Sequence, residues 1–559
     1  MLDKMLEYIR IALYTLLVLI GFFFYQAWEK EHTKPETEVT KTVAASRDRF
    51  VPTDHVADSA APEPVATAQS TVPSVATTSG QLVKVTTDVL NVSIDTHGGD
   101  IVEVNLLKYP ESLGSKAPFQ LLTDDGKTRY IAESGLLGKE GPDTVSGQAL
   151  YTAEQMNYSL QPGENSLVVK LNWKKDGVDV TKTFTFVRDS YEIKTGYEIN
   201  NQSGKAWDGS FYTQLARKNT PPATHGGFVN LTTYFGAAIS TPQKPFEKIT
   251  FKEMQKQEVS REVKDGWVAM IQHYFVSAWV PPKTAVSNYY SRVTPSGLYT
   301  IGMIGSPLHV APGAKAATEA DLYVGPAIAD RLEKAAPGLQ LTIDYGWFWF
   351  ISIAIFWMMQ KIYDFLGNWG WSIVIVTIII KLLFYQLSNK SYRSMSAMKR
   401  LQPKIESLKE RLGDDKQKMT QATLELYRKE KVNPMSGCLP ILIQIPVFIA
   451  LYWVLVESVQ LRQAPFILWI HDLSQKDPYY VLPVLMCISM FLQQRLNPPP
   501  PDPIQAKVMM AMPLVFALLF ANFPAGLMLY WVVNNTLSFL QQWHIMHRVE
   551  KEANVKRSK

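Results

Sequence analysis

Two periods divide this chain. From Gln81 to about Val324, apolar and polar residues alternate, as in LVKVTTDVLNVSI, SLVVKLNW, VDVTKTFTFV and YEIKTGYEIN, with turn signals such as His97-Gly98-Gly99-Asp100 between them. A period of two buries one face of a strand, so this region predicts a large, mostly antiparallel β-sandwich. Its expected bounds are 81–336, with a short helix over Gly325 to Ala336 closed by Pro337-Gly338. Beyond it, continuous apolar runs replace the alternation. Trp369 to Leu387 makes a helix of about 28 Å, close to the thickness of a bilayer's hydrocarbon core. Spans are expected over 368–387, 437–457, 479–494, 507–523 and 524–542. Several of the underlying runs are short for a core of about 30 Å, which predicts local thinning of the bilayer around them.

The N-terminal part adds one more span. Lys4 and Arg10 precede the apolar run Ile11 to Tyr25, and the flank GFFFYQAWEKE lacks small residues at a cleavage site. Residues 1–28 therefore read as an uncleaved signal anchor, with Trp28 at the far interface. Residues 29–80, rich in Thr, Val, Ala, Ser and Pro, read as a disordered tether. Residues 345–366 are aromatic and apolar but interrupted by Gln360, Lys361 and Asp364. They predict an amphipathic helix on the outer membrane surface, the alternative being a further span. The expected fold class is an α-helical polytopic membrane protein of six spans, five of them forming a core, with a large sandwich domain outside.

Charge orients this arrangement. Residues 388–436 carry twelve basic and six acidic side chains, an excess that marks the cytoplasmic side, and the tail 543–559 is basic too. Both termini are then cytoplasmic. Leu401, Ile405, Leu408 and Leu412 hold a helical period, Gly413-Asp414-Asp415 turns the chain, and Met419, Thr423 and Leu426 resume it, predicting a helical hairpin. Such a hairpin is either simply solvated or a docking surface for a partner such as a ribosome. The overall net charge of +5 is mild, and its concentration beside the spans does not imply nucleic acid. Cys438 and Cys487 fall in apolar runs, so no disulfide framework is expected.

Candidate chemistry is sparse. His97, His225, His273 and His309 lack metal-ligand spacing, and there is no nucleophile elbow or phosphate loop, so neither catalysis, metal nor cofactor is expected in the sandwich. The anomaly is Lys381, one charge in the run WGWSIVIVTIIIKLLFYQL, flanked at helical spacing by Thr377, Tyr385 and Ser388. An ammonium on a spanning helix costs about 2.5 to 3.5 kcal/mol, so it either serves function or snorkels toward the polar end at Ser388. No Asp or Glu lies in the apolar runs, whose polar groups include Gln444, Ser489, Asn522, Asn534, Asn535 and Thr536. Gln444 and Ser489 read as helix-to-helix glue, whereas Asn534 and Asn535 beside Lys381 would make a wet cavity. A proton-coupled transporter would normally use intramembrane carboxylates and repeated halves. A stalked carbohydrate-binding protein would explain the sandwich alone.

The stretches QAWE (Gln26 to Glu29), LTIDYGWFWFIS, GNWGWSIVIVT, LQPKIESLKERLGDDKQK, EKVNPMSGCLPILIQIPVF, LRQAPFILWIHDLSQKDPYY and FPAGLMLYWVVNN resemble, in order and spacing, the YidC membrane protein insertases of Gram-negative bacteria. The resemblance covers both ends and all of 325–545; the sandwich matches mainly in size and position. It implies a periplasmic β-supersandwich and a five-span core around a hydrophilic groove open to cytoplasm and lipid, which inserts and helps fold inner-membrane proteins. The groove's central cation falls at Lys381, where this bacterial group usually has arginine. Thr377 and Tyr530 match substrate-contacting positions, Gln444 and Asn534 fall in the groove, and Ile445, Pro446 and Phe448 match a hydrophobic slide. Implied partners are nascent membrane proteins, the Sec translocon with its accessory subunits, the ribosome through the hairpin and basic tail, and the lipid bilayer.

Overall fold

A computed structural model describes residues 80–220 and 233–557, apart from residues 127, 140, 145–146, 284, 413–415, 431, 433–438 and 498–502. The expected signal anchor 1–28, tether 29–80, hairpin turn at 413–415 and Cys438 lie outside the described residues, as does His225.

The alternating region forms two stacked sheets. One has ten strands, from Ser260–Lys264 at one edge to Asn157–Ser159 at the other; the second has nine, from Glu247–Ile249 to Thr152–Ala153. Pairing is antiparallel except where Leu82–Thr86 runs parallel to Asn157–Ser159. Strand Val178–Val187 shows why the sheets stack. Val178, Val180, Phe184 and Phe186 share one parity and are buried, while the threonines between them are half-buried. Trp207, Trp267 and Trp279 fill the interior from three further strands. A short helix, α1 (Phe251–Lys256), starts on a capping box in which Thr250 and Glu253 satisfy each other's backbone N–H groups. Helix α2 (Ala329–Ala335) ends the sandwich.

One inward position breaks the apolar pattern. Lys182 has the same parity as its valine and phenylalanine neighbours and is fully buried. Its Nζ donates to Ser134 O at 2.8 Å and Gly98 O at 3.1 Å, and it passes near the rings of Phe184 and Tyr197. Buried Asp143 lies nearby, accepting from the N–H groups of Leu136 and Ala149. Burial pushes the Lys182 ammonium down and the Asp143 carboxyl up; their mutual attraction opposes both shifts, while Asp100 supports the Lys182 charge and, as a like charge, pushes Asp143 further up.

The rest is helical: α3 (Trp349–Leu366), α4 (Trp369–Leu383), α5 (Tyr385–Arg400), α6 (Gln402–Leu412), α7 (Lys416–Lys429), α8 (Leu439–Glu457), α9 (Val481–Leu496), α10 (Pro503–Phe520) and α11 (Ala525–Arg557). Among the described residues no single helix is long and apolar enough to cross a membrane by length and composition. The pair α4 and α5, bent by 67°, meets that test together.

This bend corrects the continuous helix expected over 368–387. The helix stops at Phe384, so Tyr385 and Ser388 do not extend the face that carries Thr377 and Lys381. No proline or glycine marks the break. It falls where the apolar run meets the polar sequence of α5, whose buried Tyr392 and Met395 cluster with Ile545 of α11. Glu457, just beyond the acid-free run, is the last residue of α8 and is buried.

Helix α3 packs Ser352, Ile355 and Met359 inward, and Ser352 Oγ donates to Ala450 O of α8 at 3.0 Å. Its other face exposes Trp349, Phe350, Ile353 and Trp357. The sandwich docks onto the helices directly. The His273 ring bonds Val456 O, a carbonyl in the last turn of α8, at 2.9 Å and stacks on Tyr274. Arg462 donates to Glu111 O and lies over Phe119 and Phe275, Gln463 donates to Pro110 O, and Lys248 pairs with Asp344. A helix end leaves its last carbonyls unpaired, and His273 supplies one of the missing donors.

Candidate functional site

The start of α4 is fixed by the sequence GNWGW. Gly367 takes a left-handed φ of 66° that closes α3, its N–H reaching Tyr363 O at 2.7 Å. Asn368 then caps α4, accepting from the Trp371 N–H while its own amide donates to Phe466 O. A Cβ on Gly370 would fall 2.0 Å from the Phe466 ring, so only glycine lets that ring seat against the helix. Three turns on, Lys381 points into the bundle toward α11. It is buried, and its Nζ donates to Ser538 Oγ at 2.6 Å. Ser538 passes its own proton to Asn534 O at 2.7 Å, leaving its lone pairs for the ammonium.

Ser538 also lines a cavity of about 470 Å³ among α8, α9, α10 and α11. Gln444, Ile445 and Phe448 come from α8, and Tyr530, Trp531, Asn534 and Asn535 from α11. Phe448 stacks near Tyr530 at 6.2 Å between centroids and meets Trp531 edge-on at 5.0 Å, making an aromatic wall. Helix α10 supplies Met509, Met512, Pro513 and Phe516, and α9 supplies Met490, Gln493, Gln494 and Asn497. Among the described residues, no charged side chain lines this cavity. Lys381 therefore meets it through a hydroxyl and stands behind its wall. Unbranched methionines let an apolar wall adapt to guests of different shape.

The structure thus gathers five of the expected site residues, Gln444, Ile445, Phe448, Tyr530 and Asn534, around one cavity, with Lys381 one hydrogen bond away. Two stand apart. Thr377 is buried with its hydroxyl donated to Ile373 O of its own helix at 2.7 Å, and Pro446 lies inside α8 but not on the cavity lining. Ser489 donates to Met486 O one turn back, which corrects its reading as glue between helices: a serine on a helix readily satisfies itself locally. Sequence reasoning missed Ser538 and the α9 amides. The signal was present, since Asn534, Ser538 and Gln542 recur every four residues and Met490, Gln493, Gln494 and Asn497 hold the spacing of one helical face. No group of three or more His, Cys, Asp or Glu suited to a metal occurs among the described residues.

Two family models match the chain in sequence: the YidC periplasmic domain over residues 82–358 and the 60Kd inner membrane protein over residues 361–552. The membrane protein insertase YidC of Pseudomonas putida strain KT2440 is 47% identical over 549 residues, covering 97% of this chain and 98% of its own. That of Coxiella burnetii strain RSA 493 is 47% identical over 550 residues, covering 96% of each. A crystal structure of an active YidC insertase with its first transmembrane domain resolved covers 83% of this chain and 94% of its own, with 18% identity and a TM-score of 0.38.

Proposed function

This chain belongs to the YidC family, inner-membrane insertases with a large β-sandwich periplasmic domain and a helical C-terminal region, and we propose that it inserts and helps fold inner-membrane proteins. The carrying observation is the uncharged cavity among α8, α9, α10 and α11 with a buried ammonium, Lys381, hydrogen-bonded to its wall at Ser538. An apolar helix entering the cavity meets Ile445 and Phe448, and its polar tail meets the amides and the ammonium behind them. Pro446 shapes α8 between those two contacts, and Thr377 holds the α4 face on which Lys381 sits.

Energetics allow this without a nucleotide. A 20-residue apolar helix gains roughly 6 to 12 kcal/mol on entering lipid, at about 0.3 to 0.6 kcal/mol per Leu-like residue. A carboxylate brought to about 4 Å from Lys381 gains at most about 4 kcal/mol at an effective dielectric near 20, enough to lower a barrier without trapping the cargo. An acidic tail moving outward also descends the membrane potential by about 2.3 kcal/mol per charge per 100 mV.

In this reading the chain crosses the inner membrane six times with both termini in the cytoplasm, and α3 lies in the outer interface with Trp349 and Trp357 toward lipid. It works alone or with the Sec translocon and its accessory subunits near the sandwich. The basic hairpin α6–α7, braced by the Lys404–Glu430 pair at 2.5 Å, meets the ribosome together with the basic tail. Complementation of an insertase-depleted strain tests the central claim. Lys381→Arg is expected to support insertion of acid-tailed substrates, and Lys381→Ala or Lys381→Glu to fail; full activity of Lys381→Ala would return the lysine to a snorkelling role.

A further inference from the structure

The cavity has two polar regions of different character. One is Lys381 with Ser538. The other is a row of amides in which Gln493, Gln494 and Asn497 of α9 face Asn534 and Asn535 of α11. One member of the row, and one residue hydrogen-bonded to it, carry unspent hydrogen-bonding capacity. Asn535 is 5% exposed and lines the cavity, yet its Nδ2 finds no hydrogen-bond partner among the described residues. Gln542, fully buried two turns further along α11 and behind the lining, donates to Asn497 Oδ1 at 2.8 Å and leaves its Oε1 without a partner among the described residues. Buried polar groups are ordinarily satisfied, so the idle Asn535 donor on the cavity lining, in a row whose Asn497 is held from behind by Gln542, points to a guest that completes it.

Resting on the insertase reading above, we propose that this amide row is a second, charge-indifferent subsite, which receives the uncharged or basic polar segments of incoming chains that Lys381 cannot serve. The chemistry differs between the two regions. An ammonium offers only donors and repels another cation, whereas an amide offers both a donor and an acceptor. A lysine-bearing or amide-bearing tail therefore finds acceptors in the carboxamide oxygens, and exposed peptide carbonyls find the Asn535 nitrogen. Helix α9 presents the row at i, i+3, i+4 and i+7 from Met490, so the polar stripe continues directly from the methionine that greets the apolar part of the guest. Cargo choice then follows from which polar region a tail engages.

The test uses the full chain purified into lipid vesicles and three single-span substrates that differ only in a short tail of Asp, Asn or Lys residues, with insertion read by protease protection. Asn535→Leu is expected to lower the ratio of Lys-tail to Asp-tail insertion at least fivefold, and Gln493→Leu with Gln494→Leu to move it the same way. Lys381→Met is expected to raise that ratio at least fivefold. A ratio unchanged in both amide variants, including an equal loss on all three tails, overturns the subsite while leaving the insertase reading intact. Wild-type protein that inserts none of the three substrates overturns both.

Discussion

Lys182 in the sandwich and Lys381 in the helical bundle are both buried, 0% and 9% exposed, and they are built for opposite purposes. Lys182 is held by two backbone carbonyls and faces the carboxylates of Asp143 and Asp100, so its donors and its charge are committed inside the fold. Lys381 donates to one hydroxyl, that of Ser538, and has no ion pair among the described residues. A charge that is fully answered is architecture; a charge answered by a single neutral oxygen is available to whatever enters.

Stability measurements can break this comparison, and Lys182 supplies the largest effect. Removing one partner from a buried ion cluster strands the other charge, so Lys182→Met is expected to destabilise the sandwich by about 3 to 5 kcal/mol in denaturant unfolding. A loss below about 1 kcal/mol would mean that the acids relax into neutrality at little cost.

The next effect is smaller and tests the seam between the two regions. Burial pulls His273 from its ordinary value down to about 4, with Arg462 adding to the fall and the Val456 carbonyl resisting it. A depressed imidazole value contributes stability that is present above pH 6.5 and is lost as the pH falls through about 4, because the unfolded chain takes up the proton first. The docked sandwich is therefore expected to lose about 3 kcal/mol between pH 6.5 and pH 4, and His273→Gln to remove most of that slope. Hydrogen exchange at the end of α8 reads it directly.

The smallest effect is the sharpest contrast. Lys381→Met takes an ammonium out of a site with no acid to strand, so the same unfolding experiment should show a change within about 1 kcal/mol of zero. A large loss there would make Lys381 a second Lys182.

The sandwich was legible because its strands obey a strict rule, visible in Val178–Val187, where parity alone sorts buried from half-buried residues. The same parity puts Lys182 inward, a position the sequence reading did not single out, and no reading of one strand can show which acids from distant turns will meet it. In the bundle, the apolar runs announced α8, α9 and α10, and the amides Asn534 and Asn535 announced a polar interior. The bend at Phe384 carries no glycine or proline; its one local sign is the change from apolar to polar sequence, which alone does not break a helix. The α9 amides were passed over because they lie at or beyond the end of an apolar run, where polar residues are expected to face water. Only the meeting of α9 with α11, seen in the Gln542 to Asn497 hydrogen bond, turns them inward.

The inward placement of Lys182 also bears on how the sandwich finds its pairing. Slipping its strand by one residue would turn Lys182 outward and bring Thr181 or Thr183 against Asp143, leaving a carboxylate in the core with no cation. Hydrophobic residues alone discriminate such slips by degree. A buried ion discriminates them more sharply, because closing the two sheets over a slipped strand would leave Asp143 and Asp100 without their cation.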